Sequence, residues 1–397
     1  MWIKVARAPK AQIDRDASLR GLRRLQVDRL ALVFRTAAVA WLLVATSLAA
    51  AQAPEEAWSL GGDLRVAAVA SERVDGSGVR TDAQALRSRL RLALSGQPSD
   101  TLRVGLRIAG RHGSDQDGSD AYLGWSAPGR AGSALGDTTL DEAWLQWSPA
   151  GRPWSLRLGR FQHAASLATL TGKSIGQNDS PHLGVNWTDG IRLQRESVVG
   201  GTLTLLLRYM DPDGPGSVHR APLDFAPGGS RVAGFVGWES RQALGPLVQR
   251  SFGLDLLPRA LPDGMGARGY TQLSSRAVGA WPMGEGGARW LLGGELSYAT
   301  PSSSGDGRLA WQLEADIEGA QKKHMAGVVL GRVPAGFLLS SDFRDNDRLA
   351  EFRYRWRVHK QLDIAARWRW RGQVTPPAGV QRQRIDRDAY VNATWRF

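Results

Sequence analysis

Arginine on alternate positions is the constellation in this sequence best able to do chemistry. Arg87, Arg89 and Arg91 lie opposite Leu86, Ser88, Leu90, Leu92 and Leu94, and Arg103 and Arg107 alternate with Leu102, Val104, Leu106 and Ile108. Arg353, Arg355 and Arg357 oppose Phe352, Tyr354, Trp356 and Val358; Arg367 and Arg369 oppose Ala366, Trp368 and Trp370. A guanidinium presents a planar fork of donors that matches carboxylate and phosphate, and rings of Arg or Lys in a pore select anions. Residues 349–397 hold 11 Lys/Arg against four acids, Glu351, Asp363, Asp386 and Asp388, so pairing within the segment leaves cations in excess. The competing reading pairs the arginines with acids such as Glu314, Asp316 and Glu318, which would leave the interior neutral.

Other candidates fall short of a reaction. Gly172-Lys173-Ser174 has the ending of a phosphate loop, but Leu167 occupies the leading glycine position and no alternating β/α pattern follows. Gly124-Trp125-Ser126-Ala127-Pro128 lacks the second glycine of a nucleophile elbow. The six histidines, at 112, 163, 182, 219, 324 and 359, form no i, i+4 pair, so neither a metal site nor a cofactor is expected. His163 stands near Ser166 and Asp179, but nearness along the chain does not make a triad.

The ladders constrain the elements that carry them. Successive side chains on a strand point to opposite faces. Arginine on a lipid-facing position at the bilayer midplane costs about 2–4 kcal/mol, so the ladders must face water. The period of two continues through Leu203–Tyr209, Trp290–Tyr298, Trp311–Ile317 and Leu362–Trp370. Turn signals separate the runs, among them Asp75-Gly76, Asp117-Gly118, Pro149-Ala150-Gly151, Asp211-Pro212-Asp213-Gly214, Pro262-Asp263-Gly264, Gly305-Asp306-Gly307 and Asp345-Asn346-Asp347. The pattern predicts an all-β protein, a transmembrane antiparallel β-barrel of about 16 strands (range 14 to 18), each of about the 10 residues that cross a bilayer at a barrel's tilt. A soluble β-sandwich would not need so many long strands with Trp or Tyr near their ends.

Composition agrees. Apolar residues make up 42%, yet no run reaches the ~18 needed for a spanning helix. The chain has 16 Trp and 47 Gly and lacks cysteine, which suits an oxidising compartment. Its formal charge of +13 does not indicate nucleic acid: residues 1–51 hold nine Lys/Arg and only Asp14, Asp16 and Asp28 as acids. Ala37–Ala51 reads as the apolar stretch of a signal peptide, with Arg29 and Arg35 ahead of it and Ala49 and Ala51 fitting an A-x-A site before Gln52. Residues 1–51 are therefore expected to be a cleaved leader and 52–397 the barrel. The basic stretch before about residue 30 fits a misassigned start, with Val27 or Val33 where a GTG codon would stand.

The chain ends Ala389-Tyr390-Val391-Asn392-Ala393-Thr394-Trp395-Arg396-Phe397. This resembles the C-terminal strand of bacterial outer-membrane proteins, whose terminal aromatic, here Phe397 with Trp395, is read by the barrel-assembly machinery. A second resemblance lies in residues 140–162, ending Gly159-Arg160-Phe161-Gln162, and in Asp189-Gly190-Ile191-Arg192-Leu193 after an intervening loop. These segments resemble the alginate-export family of outer-membrane barrels and cover about 55 of the 397 residues. The resemblance implies a barrel whose lumen is lined with Arg and Lys for a polyuronate. A mature chain of about 346 residues suits about 16 strands rather than the exporter's 18.

Together these features predict a bacterial outer-membrane channel with an Arg-rich lumen, passing anionic solutes or an acidic polysaccharide. The expected partners are membrane lipid, the assembly machinery and the anionic solute, with no nucleic acid. The alternatives are a barrel enzyme and a structural barrel plugged by its loops.

Overall fold

A computed structural model of the chain describes residues 58–114, 122–124, 137–176, 178–179, 187–210, 231–261, 268–300, 309–340, 342–376, 378–380 and 382–397. The leader with its Ala49–Gln52 cleavage signal lies outside the described residues. So do the turn signals at 117–118, 211–214, 262–264 and 305–307.

The alternating runs form the strands β1 (Trp58–Val74), β2 (Arg80–Ser99), β3 (Leu102–Gly113), β4 (Tyr122–Gly124), β5 (Asp137–Trp147), β6 (Trp154–Phe161), β7 (Thr188–Val198), β8 (Gly201–Met210) and β9 (Arg231–Ser240). There follow β10 (Leu247–Leu261), β11 (Arg268–Met283), β12 (Ala288–Ala299), β13 (Leu309–Glu318), β14 (His324–Val333), β15 (Asp347–His359), β16 (Leu362–Gln373) and β17 (Ile385–Arg396). Only the three-residue β4 pairs in parallel, beside β5. The other sixteen strands pair antiparallel with their neighbours, and β1 pairs with both β2 and β17, so the sheet closes and leaves no edge. The expectation of a barrel of about 16 strands holds.

Short connections gather at one rim and long ones at the other. At the short-turn rim, residues 100–101, 199–200, 284–287 and 360–361 join strands, whereas residues 162–187 and 334–346 start from the opposite rim. Trp147 and Trp154 meet edge to face at 5.1 Å on either side of one short connection, and elsewhere on the same rim Trp356 stacks on His324 at 6.1 Å. The last residue is tied to the first strand at this rim: Phe397 N–H donates to Gly62 O (3.1 Å) and Gly62 N–H donates to Phe397 O (2.9 Å).

The two faces separate by chemistry. Outward positions are apolar and exposed, as at Phe352, Leu330, Leu292 and Val391; inward positions carry the charged and polar groups, as at Arg353, Glu351, Glu295 and Asn392. An outward surface so apolar is stable only against hydrocarbon, which is what the alternation requires of a spanning barrel.

Candidate functional site

The inward face is organised by a segment that sequence reasoning treated as an ordinary connection. Residues 162–176, which follow β6, turn into the lumen, where Leu167, Lys173, Ser174 and Ile175 are buried. Leu167 and Leu170 pack with Val278, Leu291 and Met325, and Ile175 joins a second apolar cluster with Tyr270, Phe337 and Leu339. The Gly172-Lys173-Ser174 sequence lies at the centre of this loop, and its role there is adhesion to the barrel wall.

The loop is held by carboxylates of the β12–β13 wall and their neighbours. Glu314 accepts bonds from Thr171 N–H (2.9 Å), Thr171 Oγ1 (2.6 Å) and Thr169 Oγ1 (2.6 Å). Leu170 N–H donates to Asp316 (2.6 Å), Ile175 N–H to Glu295 (2.9 Å) and Ser174 N–H to Asp342 (3.1 Å). Glu295 also pairs with Arg276 at 2.7 Å, and Gln312 Nε2 donates to Lys173 O (3.0 Å). Buried charge persists only where it is hydrogen-bonded or paired, and here peptide N–H groups of the loop meet that need. The acids proposed as counter-charges for the arginine ladders therefore have other partners. Glu314 and Asp316 are covered by the loop, and Glu318 pairs with Arg289 at the short-turn rim (2.7 Å).

Beyond β14 on the same side of the barrel, the β15–β17 wall is rich in arginine. Glu351 is shared by Arg353 (2.6 Å) and Lys173 (3.2 Å). Asp388 is shared by Arg369 (2.7 Å) and Arg367, and Asp363 by Arg396 (2.8 Å) and Arg357 (3.7 Å). Three carboxylates thus serve six cations. Arg355 adds a cation with no carboxylate at ion-pair distance among the described residues, its Nη2 resting on Met325 Sδ (2.6 Å). Burying Lys173 lowers its ammonium pKa to about 8, against the opposing pull of Glu351.

The ladder residues do not all face the same environment. Arg353 is buried against the loop and donates to Thr171 O (3.4 Å), so it anchors the loop as well as pairing. Arg355, Arg357, Arg367 and Arg369 keep partial access to the lumen. Arg103 is exposed at the short-turn mouth, while Arg107 is held by Asp141 (2.9 Å) and Glu142 (2.8 Å). These two consecutive acids both reach Arg107 because a bulge opposite Arg107/Ile108 inserts an extra residue into β5. A strict period of two would send one of them outward.

The residues of the family resemblance come together at the root of the loop. Gly159 has φ +111°, and a Cβ there would run into the carbonyl oxygen of Ala143. This backbone lets β6 bury both Arg160 and Phe161. Arg160 then forms a forked pair with Asp189 (2.7 and 3.0 Å), donates to Leu140 O (2.8 Å) and stacks over Trp187 at 4.1 Å. Asp189 also accepts from Trp187 Nε1 (3.0 Å), and a Cβ at Gly190 would collide with the carbonyl of Leu207. Four of the five motif residues thus clamp the two ends of the inward loop. The fifth, Arg192, faces a cavity of about 620 Å³ that also involves His163, Gln194, Thr202, Phe235 and Arg276.

The hydrolytic arrangement does not form around His163. Asp179 accepts from the backbone N–H of His163 (2.8 Å) and from Thr188 Oγ1 (2.8 Å), and Nε2 of the ring is buried without a hydrogen-bond partner. Burial, reinforced by Arg208, Arg192 and Arg276, lowers the imidazole pKa to about 3, so the ring is neutral at ordinary pH. No cluster of His, Asp or Glu suited to a metal occurs among the described residues.

No family model and no curated protein matches this chain. Solved structures do match in fold. Pseudomonas putida OprB aligns with a TM-score of 0.59 at 11% identity, covering 86% of this chain and 94% of that one. Pseudomonas aeruginosa OpdL aligns with a TM-score of 0.51 at 12% identity, covering 86% and 98%. These neighbours are porin-type outer-membrane barrels. At such identities the likeness establishes the shared barrel fold.

Proposed function

We propose that this chain is an outer-membrane channel whose lumen favours anions, with residues 1–51 removed on export. The observation that carries the reading is the division of the interior. The inward loop covers Glu295, Glu314 and Asp316, and on the neighbouring β15–β17 wall three carboxylates are shared by five arginines and the loop's Lys173, with Arg355 in addition. A low-dielectric wall focuses the field of such a surface into the water beside it. The solute class that follows is anionic, a small carboxylate or phosphate, or an acidic polysaccharide such as alginate as the family resemblance implies. Forked guanidinium donors serve all of these.

The test is the reversal potential in planar bilayers under a salt gradient. The wild type should pass chloride over potassium at low salt and lose that preference toward 1 M, where the Debye length falls to about 3 Å. Replacing Arg355, Arg367 and Arg369 with Glu should move the reversal potential toward cations. A wild-type preference for potassium at low salt would end the reading. Block by oligouronates supports the polysaccharide; block by phosphate or dicarboxylates supports small anions. One observation favours a loop-plugged structural barrel instead, namely the apolar packing of residues 167–175 in the lumen. A folded barrel that never conducts would establish that alternative.

A further inference from the structure

Two arginines break the apolar outward surface. On β14 the outward positions run His324, Ala326, Val328, Leu330 and then Arg332; on β15 they run Trp356, Tyr354, Phe352, Ala350 and then Arg348. Arg332 and Arg348 are direct register partners, and both are exposed. Like charges directly opposite on a sheet repel, yet neither has a carboxylate at ion-pair distance among the described residues. Arg348 donates only to Gln383 Oε1 (2.7 Å) and lies over the Trp370 ring at 5.3 Å. Gly372, across from Arg348, leaves room for this stacking, because a Cβ there would press on the Trp370 ring and on Arg348 Nε. Trp311 is the register partner of Arg332 on the other side.

Height gives the pair its meaning. Eight residues separate Arg332 from His324 and Arg348 from Trp356, about 26 Å at roughly 3.3 Å per residue. A strand tilt of about 40° reduces this to roughly 20 Å, close to the ~25 Å apolar band of such barrels. Both arginines therefore reach the polar border of the membrane on the long-loop side. Snorkelling of a general basic girdle would place cations all round that border. Instead the outward positions near it on β8, β9, β11 and β12 are Tyr209, Val232, Thr271 and Tyr298, all uncharged. On the near side, Arg387 and Arg80 are both balanced by Glu72 (3.1 and 3.5 Å).

We propose that Arg332 and Arg348, with Trp370 and Trp311 beside them, hold the phosphate of a phosphorylated glycolipid in the leaflet at the long-loop rim. Its acyl chains would lie along Leu330, Val328 and Phe352. Two adjacent forked donors suit one phosphate, a neighbouring indole offers a face for a sugar ring, and the apolar strip below suits the chains. A free anion would use only the first of these features. The proposal rests on the outer-membrane reading above.

The experiment is native mass spectrometry of the full barrel in detergent with bis-phosphorylated lipid A as the probe. The wild type should retain lipid A, and Arg332→Gln with Arg348→Gln should weaken retention at least about a hundredfold, the loss expected for two charge-assisted hydrogen bonds. Arg387→Gln should leave it unchanged. No retention by wild type, equal retention by the double variant, an equal loss in Arg387→Gln, or full displacement by millimolar inorganic phosphate would each overturn the site. Should the double variant fail to fold, Arg348→Lys tests the fork alone, and undiminished retention would count against the proposal. Conductance of the same preparation separates the two readings. A conducting barrel that ignores lipid A refutes the site alone, and a lipid-binding barrel that never conducts refutes the channel alone.

Discussion

Glu314→Gln tests the grip of the inward loop more directly than any deletion. Glu314 accepts three bonds from the loop, from Thr169 Oγ1, Thr171 Oγ1 and Thr171 N–H. Bonds to an ionised group contribute about 1.5–3 kcal/mol each, and neutral ones about 0.5–1.5. Glutamine keeps one acceptor oxygen and turns the other into donors that face donors. At least one bond is lost and the rest become neutral, a net cost of about 2–4 kcal/mol on the loop's seated state. With tenfold for every 1.4 kcal/mol, excursions of the loop from the wall should become about 30- to 1000-fold more frequent. The anchors at Gln249, Glu295, Asp342 and Glu351 remain, so the average position of the loop and the main conductance should persist. The change should appear as new brief substates in single-channel records at low salt. Within those substates Glu295 and Asp316 meet water, and the reversal potential should move toward cations. A folded variant, shown by heat-modifiable migration on gels, whose substate frequency stays within about twofold of wild type would refute the account of how the loop is held.

Three further outcomes are expected. Gly159→Ala places a Cβ at φ +111° against the Ala143 carbonyl, so the urea midpoint of unfolding from detergent should fall by the equivalent of about 1–3 kcal/mol or more; an unchanged midpoint would show that β6 does not need this backbone. Lys173 has a folded pKa of about 8, below its usual 10.5, so between these values the folded state binds fewer protons and its stability relative to Lys173→Met should rise with pH. Parallel stability curves for the two proteins from pH 7 to 11 would contradict that burial. Removing Phe397 abolishes its two backbone bonds to Gly62 and the aromatic at the closing seam, so the yield of assembled barrel in cells should drop several-fold; normal yield would make the terminal residue incidental.

The likeness in residues 140–162 and 189–193 was legible as a motif but not as a mechanism. Sequence identifies Gly159, Arg160, Asp189 and Gly190 as unusual, and a pore-lining role is the natural guess for the arginine. In the fold Arg160 is a buried clamp, because its carboxylate, the Leu140 carbonyl and the Trp187 ring leave it no free face. The outward Arg332 and Arg348 were equally visible as letters. Their side of the sheet follows from the period of two, but their isolation from carboxylates depends on three neighbouring strands.

The sequence by itself determined the class of the protein and the two faces of nearly every strand, because alternation is a local property that any closed barrel must express. It placed Arg353, Arg355, Arg357, Arg367 and Arg369 inward for the same reason: arginine cannot face hydrocarbon while aromatic and aliphatic neighbours need it. Only the tertiary structure decided which charges remain uncompensated. The bond from Thr171 to Glu314 joins residues 143 positions apart, and the ion pair of Lys173 with Glu351 joins a loop to a strand far beyond it. No pattern along the chain encodes such partners. Loop insertion gives the acids of β12–β13 to peptide N–H groups and leaves the arginines of the neighbouring β15–β17 to share what remains, and that division depends on the loop folding back onto strands more than a hundred residues further along the chain.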